Sequence, residues 1–352
     1  MKSTARGIFA TVLFCFFLSG LAGLVYQIVW ARYLAIFLGH TSYAVVAVLA
    51  AFMGGLAIGN AWFGVRADRS SQPLAFYAWL EIGIAVYALI FPAYYTHCHD
   101  AFIGLARHVH PGSSGLLALK FAFSLLAILL PTILMGATFP VLTRFVTRSL
   151  SELQKNVAVL YCVNSAGAVV GCLLADFWWI QSVGLEMTVY LGAALNLSVG
   201  TVALALNQRV RSTKWPLQMA AAPTQTAHPE ISFGASTATI AASPMNATAV
   251  EDSKKEAGNS SPSVSTSAAL PAANPPESFG KTELRLAIAG IGLSGFVAML
   301  YEVAWTRLLG LVLGSSTHAF SLMLVTFITG IAIGAWIVYR WKGLRRPLDA
   351  FG

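Results

Sequence analysis

Long apolar runs separated by short polar breaks dominate the chain, at roughly 8–30, 41–63, 74–95, 116–142, 157–180, 186–206, 285–311 and 317–339. A helix needs about 20 apolar residues to cross a hydrocarbon core of about 30 Å, and these runs meet that length. None shows period-2 alternation, and inside lipid only helices and closed barrels satisfy their own backbone. The pattern predicts an all-α integral membrane protein, a polytopic bundle of about eight transmembrane helices. Composition agrees: 57% of residues are hydrophobic and 10% charged, against roughly 25% charged in soluble domains.

Between the sixth and seventh runs the character changes. Residues 208–283 are rich in Ala, Ser, Thr and Pro, with few aromatics and no apolar period. Such a segment cannot bury enough surface to offset its ordering entropy. It predicts a disordered cytoplasmic linker between a six-helix bundle over 1–207 and the start of a second transmembrane repeat over 284–352.

That second repeat is visible in the letters. Residues 18–59 align without a gap on 293–334 at a constant offset of 275, with 16 identities in 42 positions. The identities include Tyr26/Tyr301, Trp30/Trp305, Arg32/Arg307, Gly55/Gly330 and Gly59/Gly334. Composition bias would match mostly Leu and Ala, so the repeat is genuine. Six predicted spans separate equivalent points, so both copies are expected to cross in the same direction, as in a major facilitator-like 6+2 arrangement. After the second copy, Arg346-Pro347-Leu348 echoes Gln72-Pro73-Leu74, which opens span three. A further helix is therefore expected beyond this point, on this chain or separately encoded.

The net charge of +8 would suit nucleic acid, but its placement gives another meaning. With the N-terminus set inside, only Arg32, Arg107, Lys120 and Arg307 of the 22 Lys and Arg fall outside. The positive-inside bias thus predicts a cytoplasmic N-terminus, with the bilayer as partner and no nucleic acid. Lys2 and Arg6 before an apolar run imitate a signal peptide, but the run is long and recurs internally. The four cysteines show neither zinc spacing nor a disulfide framework.

Candidate chemistry lies in charges within the spans. Glu81, Asp176 and Glu302 interrupt apolar runs, where a carboxylate costs about 3 kcal/mol on insertion scales. With Asn164, Arg32 and Arg307 they are the candidate substrate-binding residues, suited to a cation. Tyr26, Trp30 and their copies read first as an interfacial aromatic belt. Gly55/Gly59, Gly167/Gly171 and Gly330/Gly334 read as small-xxx-small packing faces. Gly64, Asp68 and Arg69 form a loop motif on the inner side, with Gly64 expected to admit a neighbouring helix and Asp68 to cap or pair. His97, His99, His108 and His110, beside Cys98 and Asp100, have metal-ligand character; a solvated loop is the commoner explanation, so no metal is assigned. Gly290, Gly292 and Gly295 satisfy a dinucleotide fingerprint but sit inside a span rather than after a strand. No cofactor is expected.

The run from Leu18 to Arg69 resembles the opening of a bacterial family that fuses a major facilitator-like membrane region to a spermidine synthase-like domain. Leu80-Glu81-Ile82-Gly83, the segment from Pro131 to Pro140 and Leu160-Tyr161 with Asn164, Gly167 and Gly171 extend the similarity, as does the second copy. Gly64, Asp68 and Arg69 resemble the G-x-x-x-D-R loop of major facilitator transporters. The resemblance implies an inner-membrane protein, transporter-like or anchoring, that handles polyamines. It also implies an aminopropyltransferase activity in the full-length protein. No soluble α/β segment that could carry that catalysis is legible in residues 1–352. The expected partners are accordingly a polyamine, a separately encoded synthase domain or a second copy; an inactive remnant is the remaining alternative.

Overall fold

The computed structural model describes residues 2–38, 41–108, 114–147, 150–212, 281–314 and 316–340. Among these, every regular element is helical: α1 (Lys2–Leu38), α2 (Thr41–Arg69), α3 (Pro73–Ala106), α4 (Ser114–Val146), α5 (Leu150–Leu174), a π-helical segment (Ala175–Trp179), α6 (Ile180–Ser212), α7 (Lys281–Leu313) and α8 (Ser316–Arg340). Two compact units divide the chain, one of Met1–Ala222 with Ile291–Gly352 and one of Pro223–Gly290. Of the second, the described residues are 281–290, the first part of α7. The predicted linker falls almost wholly outside the described residues.

Seven helical stretches are long and apolar enough to cross a membrane. The chain is a helical multi-pass membrane protein. One stretch, Lys155–Ser212, has 58 residues, about 87 Å at 1.5 Å per residue. Gly184 breaks it, at φ 81° and ψ 176°, a conformation that side chains other than glycine rarely adopt. Packing shows that the chain reverses there. Asn164 and Gly171 of α5 meet Phe16 and Leu21 of α1 in parallel order. Asn196 and Asn207 of α6 meet Glu81 and Gln72 of α3 in antiparallel order. Ser19 meets Glu81 and Tyr33 meets Tyr95, so α1 and α3 are parallel. Hence α5 and α6 run opposite ways.

Helix boundaries repeat with the sequence. α1 ends at Leu38 and α7 at Leu313; α2 starts at Thr41 and α8 at Ser316. Both pairs of boundaries keep the offset of 275. In α8, His318 lies by Asp176, Ser321 by Cys172 and Tyr339 by Lys155, so α8 is antiparallel to α5 and shares the direction of α2.

Two seams of glycine bring backbones together. Gly167 and Gly171 of α5 lie against the backbone of Phe17 and Leu21, and Gly20 of α1 lies against Asn164. Gly55 and Gly59 of α2 lie against Thr132 and Ile133, and Gly136 of α4 against Leu56. At each of these positions an added Cβ would collide with the facing helix. Gly330 and Gly334, read from sequence as a third such face, look onto open space instead. Gly64 also has nothing against it, so it admits no neighbouring helix among the described residues.

Two apolar clusters fill the bundle. One is built around Tyr26, Trp30, Phe52 and Phe91, the other around Phe16, Tyr77, Leu142 and Leu160. Trp30 packs on Phe91 with ring centroids 5.5 Å apart and on Tyr26 at 5.3 Å. Tyr26 and Trp30 are thus core residues, not the interfacial belt that their residue types suggested; the facing helices, rather than a water boundary, surround them. At one end, Lys120 Nζ donates to the Leu38 carbonyl at 3.1 Å, capping the last turn of α1 with a cation.

Replacing Gly171 by Leu should destabilise the protein by about 1–3 kcal/mol or more, through overpacking against Leu21. Replacing Gly334 by Leu should stay within about 0.5 kcal/mol. Thermal unfolding of the two purified variants in one detergent checks the difference.

Candidate functional site

Helical period carries Glu81 inward. Leu74, Tyr77, Ala78, Ile84, Ala85, Ala88 and Phe91 form the buried stripe of α3, and Glu81 occupies the stripe's middle. The carboxylate is fully buried. Ser19 Oγ of α1 donates to Oε1 at 2.6 Å, and Asn196 Nδ2 of α6 donates to Oε2 at 2.9 Å. Among the described residues no Lys, Arg or His lies within ion-pair distance of it. Asn196 reaches it because α6 presents its own stripe of small residues, Gly192, Ala193, Gly200 and Ala203, on the same side. Gly192 leaves room for the Tyr26 ring, and Gly200 for Ile82 of α3.

Around this carboxylate, hydrogen-bonding capacity exceeds what is used. The Tyr26 hydroxyl and the Asn196 Oδ1 are buried without a partner. The Tyr77 hydroxyl also faces Glu81, as a weak further donor outside strict hydrogen-bond geometry. Each buried orphan costs about 1–3 kcal/mol. These two atoms and the loosely held Tyr77 hydroxyl, beside a carboxylate with no ion-pair partner among the described residues, make a centre able to accept further donors.

A second polar centre joins the two repeats. The π-helical segment re-aims Asp176 into the bundle, where its carboxylate is buried and pairs with Arg32 of α1. His318 Nδ1 of α8 lies 2.7 Å from the other Asp176 oxygen. The ring of Phe177 stacks on His318, centroids 5.4 Å apart and planes 14° apart. One turn lower, Cys172 Sγ donates to the Ser321 carbonyl at 3.4 Å. A small crevice beside the centre is lined by Ile28, Ala31, Arg32, Val45, Phe320 and Ser321, among others. π segments appear frequently at functional sites, and this one tethers α1, α5 and α8 through a single carboxylate.

The remaining candidates scatter. Asn164 Nδ2 donates to the Phe16 carbonyl at 3.1 Å, within the α1–α5 seam. Glu302 is buried on α7 with its Oε2 unpartnered, and Thr306 Oγ1 donates to its backbone carbonyl at 2.7 Å. Arg307 is exposed, unlike its counterpart Arg32. Asp68 and Arg69 are exposed on the last turn of α2, and Asp68 meets no basic residue at ion-pair distance among the described residues. Arg66 instead lies over the Trp62 ring, 5.4 Å from its centroid. His110 is outside the described residues. His99 Nδ1 is 3.9 Å from Asp100, and among the described residues no three His, Cys, Asp or Glu side chains gather as a metal site.

Three residues of these centres escape a reading of the sequence: Ser19, Asn196 and His318. Asn196 had a signal, since it falls four residues from both Gly192 and Gly200 on one helical face. His318 had none; its repeat counterpart is Tyr43. No known family, curated protein or solved structure matches the chain.

Breaking the Asp176 centre from the acid side leaves Arg32 without its counter-charge. Asp176→Leu should therefore cost about 3 kcal/mol, and His318→Ala clearly less, since Arg32 still neutralises the acid. Unfolding titrations of the two single variants and the double variant check this, and they also give the coupling between the positions.

Proposed function

We propose that this protein is the membrane part, transporter-like or anchoring, of a spermidine synthase-like protein, and that it binds the ammonium group of a polyamine at Glu81. The observation carrying the reading is the Glu81 centre: a buried carboxylate with no cationic neighbour among the described residues, next to two unpartnered buried polar atoms and the loosely held Tyr77 hydroxyl. An alkylammonium group has three donors and no acceptor. The Glu81 carboxylate, the Asn196 Oδ1 and a tyrosine hydroxyl offer it matching acceptors. Glu81 is enclosed here by α1, α3 and α6, so loading requires these helices to part, as alternating access does.

The placement of this centre suits a carrier. It lies between α1, α3 and α6, near the middle of α1 and α6 and about two turns into α3. The same-direction repeat and the eight helices support a major facilitator-like 6+2 arrangement. The basic residues Arg66, Arg69, Arg144 and Arg211 sit at helix ends. Arg211 also contacts Gln72 next to α3. This is the end we assign to the cytoplasm, in an inner membrane with the N-terminus inside. An aminopropyltransferase domain, separately encoded or on the same polypeptide, would then use or supply the amine.

Proteoliposomes with the intact protein should take up labelled putrescine or spermidine, and Glu81→Gln should reduce that uptake at least tenfold. Gel filtration and thermal unfolding verify that both are folded. Uptake by neither, or equal uptake by both, would remove the amine-carrier reading.

A further inference from the structure

The two repeat copies place the same residues in opposite surroundings. Tyr26 and Trp30 of α1 are 0% exposed, whereas Tyr301 and Trp305 of α7 are 59% and 54% exposed. Val25 is 0% exposed and its counterpart Leu300 55%. In α1 these side chains meet α3 and α6: Trp30 packs on Phe91, and Tyr26 fills the notch at Gly192. Arg32 pairs with Asp176, while Arg307 stands exposed. On the neighbouring helix the contrast recurs. Gly55 and Gly59 seat α4 at backbone contact, whereas Gly330 and Gly334 face open space.

Lipid alone does not account for this face. Acyl chains satisfy exposed Leu and Phe, and an arginine six residues from a helix end snorkels to the interface, but lipid gains nothing from a glycine pair. Gly20, Tyr26, Trp30, Arg32, Gly55 and Gly59, which seat neighbouring helices on α1 and α2, recur on α7 and α8 as Gly295, Tyr301, Trp305, Arg307, Gly330 and Gly334, and there they are uncovered.

We propose that the α7–α8 face is a docking surface for membrane-spanning helices of the kind that α3–α6 present to α1–α2. The occupant carries a small residue where Tyr301 lands, a helix seated at backbone distance on Gly330 and Gly334, and an Asp or Glu at the depth of Arg307. Charge sets the choice of occupant. A second copy offers Arg307 no free equivalent of Asp176, whose two oxygens are already held by Arg32 and His318, so the partner is a different set of helices.

A photoreactive amino acid at position 301 or 330 of the full chain, in its native membrane, tests the surface. Position 79 is the lipid-facing control, since Trp79 is exposed on α3. The expected result is a polypeptide adduct at 301 and 330 and none at 79. The linked peptide should lie in an apolar helix bearing an acidic residue. Arg307→Glu or Gly334→Leu, both altering residues in open positions, should reduce the adduct at least fivefold without moving the unfolding temperature. Lipid adducts alone at 301 and 330 would overturn the proposal. So would adducts of the chain with itself, or a polypeptide adduct unaffected by Arg307→Glu.

Discussion

Backbone contact between helices at glycine is the constraint on which the bundle depends. In lipid, apolar side chains gain nothing by leaving acyl chains for one another, so helices associate through close packing and hydrogen bonds. The α1–α5 seam at Gly20, Gly167 and Gly171 and the α2–α4 seam at Gly55, Gly59 and Gly136 meet that requirement. Gly192 and Gly200 then let α6 close on α1 and α3. Only at such approaches do side chains as short as Ser19 and Asn196 reach Glu81. The polar centre is a consequence of the seams, and a bulky residue in any of them would open it.

The two buried acids are held by different physics. Asp176 is neutralised, with Arg32 and His318 on its two oxygens, so its cost is offset by charge. Glu81 has only neutral donors among the described residues, so its charge is offset by a proton or by a bound cation. The first arrangement suits a structural lock and the second the binding centre proposed above. Asp176 joins helices from both repeats, where a fixed tie is useful. Glu81 lies within the first repeat among groups with spare acceptors, where a ligand could complete what the protein leaves unmade.

Much of the architecture was legible from the chain, for a plain reason. Backbone satisfaction in lipid turns each long apolar run into a helix, and the offset of 275 reappears in the helix boundaries themselves. Glu81 and Asp176 stood out because a charge in an apolar run is expensive wherever it faces. What the letters could not tell was facing. Tyr26 and Trp30 are apolar enough for a helix neighbour or for lipid, and period 3.6 does not separate the two. Gly59 and Gly334 sit in near-identical strings, yet only one has a helix against it. His318 was invisible because its role arises from the π segment, which shifts Asp176 by a local change in winding that no pattern announces.

That contrast between copies has an energetic side. An arginine held in hydrocarbon away from the interface costs about 2.5–3.5 kcal/mol on insertion scales, and Arg307 meets no counterpart to Asp176 among the described residues. Interfacial snorkelling lowers this cost for Arg307 itself, but it does nothing for Glu302, five residues earlier, whose buried Oε2 is also unpartnered. The repeat-equivalent Gln27 is buried with its Nε2 unpartnered as well. Polar groups at the same register of α1 and α7 are thus both left incomplete along the stripes that contribute Ile28 and Val303 to one apolar cluster. A helix serving only as an anchor would carry neither the acid nor the arginine. α7 therefore has the composition of an inner helix, and Arg307 finds a counter-charge within the protein only when the bare face of α7 is covered.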